Sequence, residues 1–220
     1  MTHVVHPYAH RLGILRDWKS RWFSTKDYAS NLRADVLIRN FLEKKLRANY
    51  VGSIEVERNE KTFKVIISTS RPGVLIGRAG DGVEILKKSI IKEMKRLKIE
   101  VPADFKLDII EISEPEADAN IVAQMVMEGI EKRLPFRRVL KTTVEKVMAN
   151  KNVLGARIAV SGRLGGAEMA RREEIKRGSI PLQTLRADVD FARARANMTY
   201  GVIGIKVWIY RGMKFDNKAN

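Results

Sequence analysis

No cysteine occurs among the 220 residues. Disulfides and cysteine-based zinc sites are therefore excluded, and a reducing compartment is expected. Histidine is nearly as scarce: His3, His6 and His10 are the only three. A Ser-His-Asp or Cys-His arrangement is correspondingly unexpected. Three histidines within eight positions invite a metal, but no carboxylate or cysteine completes the set, and the spacing fits no strand or helix face. No apolar run approaches the roughly 20 residues of a membrane span. No apolar stretch with a small-residue cleavage site stands near the start, so no signal peptide is expected. Nor is there a lipidation signal or a basic amphipathic helix of the kind that lies on membranes. Gly162-Arg163-Leu164-Gly165-Gly166 is not a P-loop, because no Gly-Lys-Ser/Thr follows it. These absences predict no metal, no cofactor, no membrane contact and no enzymatic activity.

What the chain has is positive charge. Lys and Arg number 42 against 26 Asp and Glu, a net charge of +16 with pI about 10.2. Residues 1–115 carry net +7 and residues 116–220 net +9, so the excess is not confined to a tail. A polyanionic partner is implied, and nucleic acid is the default one.

Residues 1–25 read as an N-terminal arm. Its aromatics Tyr8, Trp18, Trp22 and Phe23 are expected to tuck against a core while Arg11, Arg16, Lys19 and Arg21 face phosphate. Asp27 to Asn49 reads as a helix with Leu32, Val36, Phe41 and Leu46 approximating one face and Leu37, Ile38 and Leu42 widening it. Two alternating strands come next, around Ile54–Glu57 and Phe63–Ser68, with a turn at Asn59-Glu60. A short helix over Pro72–Ile76 leads into Gly77-Arg78-Ala79-Gly80. A longer helix then carries Val83, Leu86, Ile90, Met94 and Leu97 as an apolar stripe. Pro102 ends that segment, and Leu107–Ile112, a nearly continuous apolar run, reads as a central strand.

The bare G-x-x-G is a weak signal, since two glycines three apart arise often by chance. Its setting is more informative. The order helix, strand, strand, helix, G-x-x-G, helix, strand resembles a type II KH domain over residues 26–112. KH domains clamp about four backbone nucleotides with such a loop. The glycines allow the turn, and the next helix presents free N–H groups to a phosphate.

Residues 113–118 read as a linker, residues 119–212 as a second domain and residues 213–220 as a short tail. The second domain starts with a helix over Ala119–Leu134, with Ile121, Met125, Ile130 and Leu134 facing inward and Pro135 as its stop. A second helix runs over Arg137–Met148 on Leu140, Val144 and Val147. Arg133, Arg137, Arg138 and Lys141 gather at the corner without an acid on that face, which reads as a phosphate-tracking ridge. Strands are expected over Ala156–Ser161, Ala167–Ser179, Ala187–Tyr200 and Val202–Tyr210. The fold class is thus α+β in two domains: a type II KH (αββααβ), then a two-helix, roughly four-stranded α/β sandwich. Asp188 and Asp190 lie two apart and could hold Mg²⁺ for nuclease chemistry. The plainer reading is that they balance Arg186 and Arg193.

Several stretches together resemble one family, the bacterial-type third protein of the small ribosomal subunit (the universal uS3 family). They are His6-Pro7 with Arg11-Leu12-Gly13, Trp18-Lys19-Ser20-Arg21-Trp22, Arg71-Pro72-Gly73-Val74-Leu75-Ile76-Gly77 and Phe136-Arg137-Arg138. Three more lie further on: Val160 to Glu168, Pro181 to Asp188 and Thr199 to Trp208. The resemblance implies a cytoplasmic protein of the small-subunit head, with an organellar ribosome as the alternative setting. Its implied partners are small-subunit rRNA, mRNA, neighbouring head proteins such as ribosomal proteins S10 and S14, and proteins beside the mRNA channel such as S4 and S5. It implies RNA contact by Arg71, Gly77, Arg78, Ala79 and Gly80 of the KH loop. Incoming mRNA would be met and unwound by Arg137, Arg138 and Lys141, with Arg133 beside them. Contact with rRNA is implied for Arg11, Lys19, Arg21, Arg163, Gly165, Gly166 and Arg186. The family often has two basic residues inside the G-x-x-G; Ala79 replaces the second here, which weakens the expected grip. A free KH-type regulator of single-stranded RNA is the alternative function.

Overall fold

The computed structural model describes residues 5–59, 62–97 and 104–215. The Asn59-Glu60 turn, the stop at Pro102, His3 and residues 216–220 of the tail therefore lie wholly or partly outside the described residues. The chain divides into two compact units: residues 18–113, and residues up to Asp17 together with those from Glu114 onward. The stretch expected as one arm is thus shared between the two. Its first part forms a helical turn, α1 (Pro7–His10), and its second part contributes a short strand, β1 (Ser20–Arg21).

Residues 18–113 continue through α2 (Tyr28–Lys45), β2 (Val51–Arg58), β3 (Thr62–Thr69), α3 (Pro72–Ile76), α4 (Asp81–Arg96) and β4 (Asp104–Glu111). The αββααβ order of a type II KH domain is present. The sheet order is β1-β2-β3-β4; β2 and β3 are antiparallel, and the two outer pairings are parallel. Alternation in β2 and β3 turns Val56, Phe63, Val65 and Ile67 toward the helices. There they meet Ile38 and Leu42 of α2 and Leu86, Ile90 and Met94 of α4.

Three expectations need correction in this unit. β4 is an edge strand, not a central one, and Ile110 is 50% exposed. A run of apolar letters cannot tell a strand buried on two faces from one half in water. On α2 the buried residues are Ala34, Asp35, Ile38 and Leu42, whereas Leu32 and Val36 face solvent. Asp35 draws the helix round: it accepts from Trp22 Nε1 at 2.6 Å and pairs with Arg58 at 3.1 Å. The aromatics do not all tuck in, since Trp18 and Phe23 (89%) are exposed.

The other unit adds α5 (Ala119–Glu131), α6 (Phe136–Ala149), β5 (Gly155–Gly162), β6 (Arg171–Gly178), β7 (Ala187–Met198) and β8 (Gly201–Met213). The strands form an antiparallel sheet ordered β6-β5-β8-β7. Asp118 caps α5, its carboxylate accepting from the N–H groups of Asn120 (2.8 Å) and Ile121 (3.2 Å). Helix α5 ends before Arg133, which takes a left-handed φ of 59°, so Leu134 is exposed rather than inward. Val122, Val126, Ile130, Leu140, Val144 and Val147 cover one face of the sheet. The opposite face is also apolar, with Val189, Phe191, Trp208 and Tyr210. The segment around α1 lies on it, the His6 ring standing edge-on to Phe191 at 4.7 Å.

Candidate nucleic-acid interface

In the KH unit the turn is as compact as its glycines permit. Gly77 has φ 71°, Ala79 φ 51° and Gly80 φ 87°. Gly77 donates to Gly73 O at 3.0 Å, closing α3. A Cβ built on Gly82 would stand 2.4 Å from the Leu75 carbonyl oxygen, so the start of α4 presses directly on the end of α3. Arg78 is exposed at the turn. Arg71, at the start of α3, holds its guanidinium 4.5 Å from the Tyr50 ring centroid. Val74, Ile76 and Ile85 are exposed on the helices flanking the turn and give it an apolar border. One element of the phosphate-cradle expectation is tempered: the first turn of α4 carries Asp81 and Glu84. Those carboxylates already meet the positive end of the helix.

The arm cations do not act alike. Arg11 is fully buried. Its Nε donates to Ala187 O at 2.6 Å and Nη1 to Pro7 O at 2.9 Å. Nη2 reaches the carbonyls of Pro181 (3.3 Å), Leu182 (2.9 Å) and Thr184 (3.0 Å). It cannot face rRNA, contrary to the sequence-based expectation. Arg21 is half-exposed and lies 2.8 Å from both Glu55 and Glu57, while Lys19 is half-buried and its carbonyl accepts from Val56 N.

Asp188 and Asp190 sit beside the buried Arg11. Arg16 lies 2.8 Å from Asp188 and 3.7 Å from Asp190, Lys214 3.1 Å from Asp188, and Arg211 2.8 Å from Asp190. Asp190 also accepts from Ala119 N at 2.9 Å. Their partners are therefore not Arg186 and Arg193 as expected. The oxygens a magnesium ion would need are engaged by cations and an N–H group. Burial alone would raise the Asp188 pKa, but Arg16, Lys214 and Arg211 hold it below the ordinary carboxylate value. A carboxylate depressed by folding contributes stability above its unfolded pKa of about 4 and loses it as pH falls through the folded value. The stability gap between the parent chain and Asp188→Asn should therefore narrow on acidification below about pH 4 in urea titrations. A gap constant with pH would count against this cluster as a charged clamp. Asp118 works in the other sense, its pKa raised by burial and then by Asp190.

The basic ridge is real in part. Arg137 has an acid after all: its Nε and Nη2 both donate to Glu173 at 3.2 Å. Arg171 stands 3.5 Å from the same carboxylate. The two guanidiniums flank the Phe136 ring at 5.6 and 5.7 Å. Glu173 comes from β6, 36 residues away, beyond the reach of local spacing. Arg133, Arg138 and Lys141 are exposed and carry no ion pair among the described residues.

Strand registers draw these residues to one end of the sheet. Gly162 pairs with Arg171, so the Arg163 loop leaves β5 beside the start of β6. Ser161 pairs with Gly204, which puts the β7–β8 turn at that end too. Asn197 N donates to Glu131 at 3.0 Å, joining the hairpin to the end of α5. Gly165 and Gly166 have φ 69° and 82°, and Arg163 donates from Nε to Ala167 O at 2.9 Å. This end thus gathers Arg133, Arg137, Arg163 and Arg171. Phe136, Tyr200 and Arg171 are missing from the residues expected from the sequence. Arg186 does not join them. It precedes β7 at the far end of the sheet, its guanidinium 5.4 Å from the Phe215 ring.

Known proteins resemble this chain over nearly all its length. Residues 37–117 match the KH domain family, and residues 126–209 match the family described as ribosomal protein S3, C-terminal domain. A small ribosomal subunit protein uS3 of Xanthomonas campestris pv. campestris is 45% identical over 217 residues, 98% of this chain and 86% of the relative. One of Clostridium novyi is 42% identical over 219 residues, covering 99% and 96%. One of Clostridium botulinum is 43% identical over 221 residues, covering 100% and 96%.

Proposed function

Since this chain belongs to the uS3 family of small ribosomal subunit proteins, we propose that its two units divide the RNA work, the KH turn holding rRNA and the basic end of the C-terminal sheet meeting incoming mRNA. The family role is structural and non-enzymatic. The chain is an RNA-binding component of the small ribosomal subunit in the cytoplasm, in contact with rRNA and other ribosomal proteins. The head proteins S10 and S14 and the channel proteins S4 and S5 are the neighbours this reading expects.

The observation that carries the mRNA assignment is convergence. Arg137 and Arg171 are braced by Glu173 and Phe136, while Arg138 and Lys141 stay exposed on the same helix as Arg137. Braced cations hold a fixed geometry toward a strand, and exposed ones track its phosphates. The chain with Arg137, Arg138 and Lys141 all replaced by alanine should assemble into subunits normally on a sucrose gradient. It should be slowed in translating through a stable mRNA hairpin. Its affinity for single-stranded RNA should depend less on salt, the log–log slope falling by about 0.7 for each phosphate no longer neutralised. Unchanged speed through the hairpin would remove the mRNA role.

A further inference from the structure

The β7–β8 hairpin turns through Thr199-Tyr200, between paired Met198 and Gly201. Two-residue hairpin turns favour glycine, asparagine and aspartate. Here the positive φ falls on Gly201 (120°) and not on Thr199 or Tyr200, so the turn makes no demand for a tyrosine, and neither does the core, since Tyr200 is 63% exposed. The loop after β5 lies against it. The Arg163 guanidinium carbon is 5.6 Å from the ring centroid. That is within cation–π range yet too far to lie flat on the ring at the roughly 4 Å of atomic contact. Gly166 approaches the ring closely: a Cβ built on it would be 3.4 Å from ring atoms Cδ2 and Cε2. Arg163 is aimed by a single internal bond, from Nε to Ala167 O at 2.9 Å. Its amino groups have no internal acceptor among the described residues, which leaves donors in the fork geometry that suits a phosphate. The nearby carboxylate of Glu131 is engaged by Asn197 N.

We propose that Tyr200 and Arg163 form a binding site for one unpaired RNA nucleotide, the base stacking on the tyrosine ring and a phosphate taken by the arginine amino groups. The inference rests on the reading that this end of the sheet meets RNA. It adds a stacking position to what was an array of charges. Every base has a flat face, so the site selects unpaired nucleotides without reading sequence. It sits where a strand freed from a duplex by the neighbouring cations would be held open.

The test uses the full chain and two 12-residue RNAs, oligouridine and the same oligomer with every base reduced to 5,6-dihydrouridine. The reduced ring is puckered and stacks poorly, while the phosphates are unchanged. Tyr200→Leu is expected to weaken oligouridine binding about tenfold. It should alter binding of the reduced oligomer less than about twofold, because that oligomer gains little from stacking. Tyr200→Phe should retain the parent affinity for both. Arg163→Gln should weaken both equally and lower the salt slope by about 0.7. Equal losses on the two oligomers from Tyr200→Leu, or no loss on either, overturn the stacking site while leaving the RNA reading intact. If the parent chain binds neither oligomer, or binds them independently of salt, the RNA reading falls and the site with it. Thermal melts of each variant separate these outcomes from misfolding.

Discussion

Arg11→Ala is expected to cost the C-terminal unit about 3–5 kcal/mol, because several buried carbonyls lose a charged donor at once. The loss should appear in native-state hydrogen exchange as reduced protection of the β7 and β8 amides. The five acceptors come from two stretches of chain: Pro7 on the N-terminal segment, and Pro181, Leu182, Thr184 and Ala187 on the approach to β7. A planar guanidinium spans them; an ammonium cannot reach all of them. Arg11→Lys should therefore recover less than half of the loss. Arg21→Ala is the control, since it removes a half-exposed cation from a glutamate pair. Exposed pairs contribute about 0–1 kcal/mol. A protection loss below about tenfold in Arg11→Ala, equivalent to less than about 1.4 kcal/mol, would show that Arg11 does not tie the two stretches together.

Gly82→Ala is the second large effect, and it falls on the KH turn. A methyl group 2.4 Å from the Leu75 oxygen and 2.9 Å from the Ile76 oxygen meets backbone, which cannot rotate away. Either α3 or α4 must shift, carrying Gly77 and Gly80 with it. The cost should reach or exceed the upper end of the roughly 1–3 kcal/mol of overpacking. On the proposed role of the turn, the RNA it covers should become accessible in footprinting of assembled subunits. Gly73→Ala, with open space around its Cβ, should be neutral or stabilise by about 0.4–1 kcal/mol. Ala79→Gly should relieve a left-handed φ worth about 1 kcal/mol and leave the turn intact. If Gly82→Ala melts like the parent and protects the same RNA, the close approach of the two helices is not what shapes the turn.

The two kinds of error in reading the sequence have different physical origins. Period-two alternation makes β5, β7 and β8 legible, and the α4 stripe of Leu86, Ile90 and Met94 is equally plain. Both patterns are imposed by one buried face. Burial on a second face is invisible to alternation, so nothing in the β8 pattern says that Trp208 and Tyr210 are buried opposite Ile205 and Val207. A nearly continuous apolar run has the reverse ambiguity, which is why β4 reads as central. Charge is the other difficulty. A cation in a basic chain is read as facing water or phosphate, and for Arg78, Arg138 and Lys141 that agrees with their exposure. Arg11, Arg16 and Arg137 have partners 36 to 176 residues away. No window of local sequence contains such pairs. The G-x-x-G, by contrast, is readable because its demand is on the backbone, and Gly77 and Gly80 both take the positive φ that the letters imply.

The separation of the leading residues, up to Asp17, from the KH unit has a consequence for the order in which the molecule comes into being. Residues 18–113 form a unit whose parts are contiguous, so it can fold as soon as it leaves the exit tunnel. Arg11 and Arg16 are made earlier, but Asp188 and four of the five carbonyls that enclose Arg11 are made some 170 residues later. At about 5–20 residues per second the leading segment waits roughly 8–35 seconds for them. During that interval the nascent chain carries a finished KH unit behind an unpaired, basic leader. The C-terminal unit is completed only when its last two strands arrive, so a segment made before the KH unit is fastened after it.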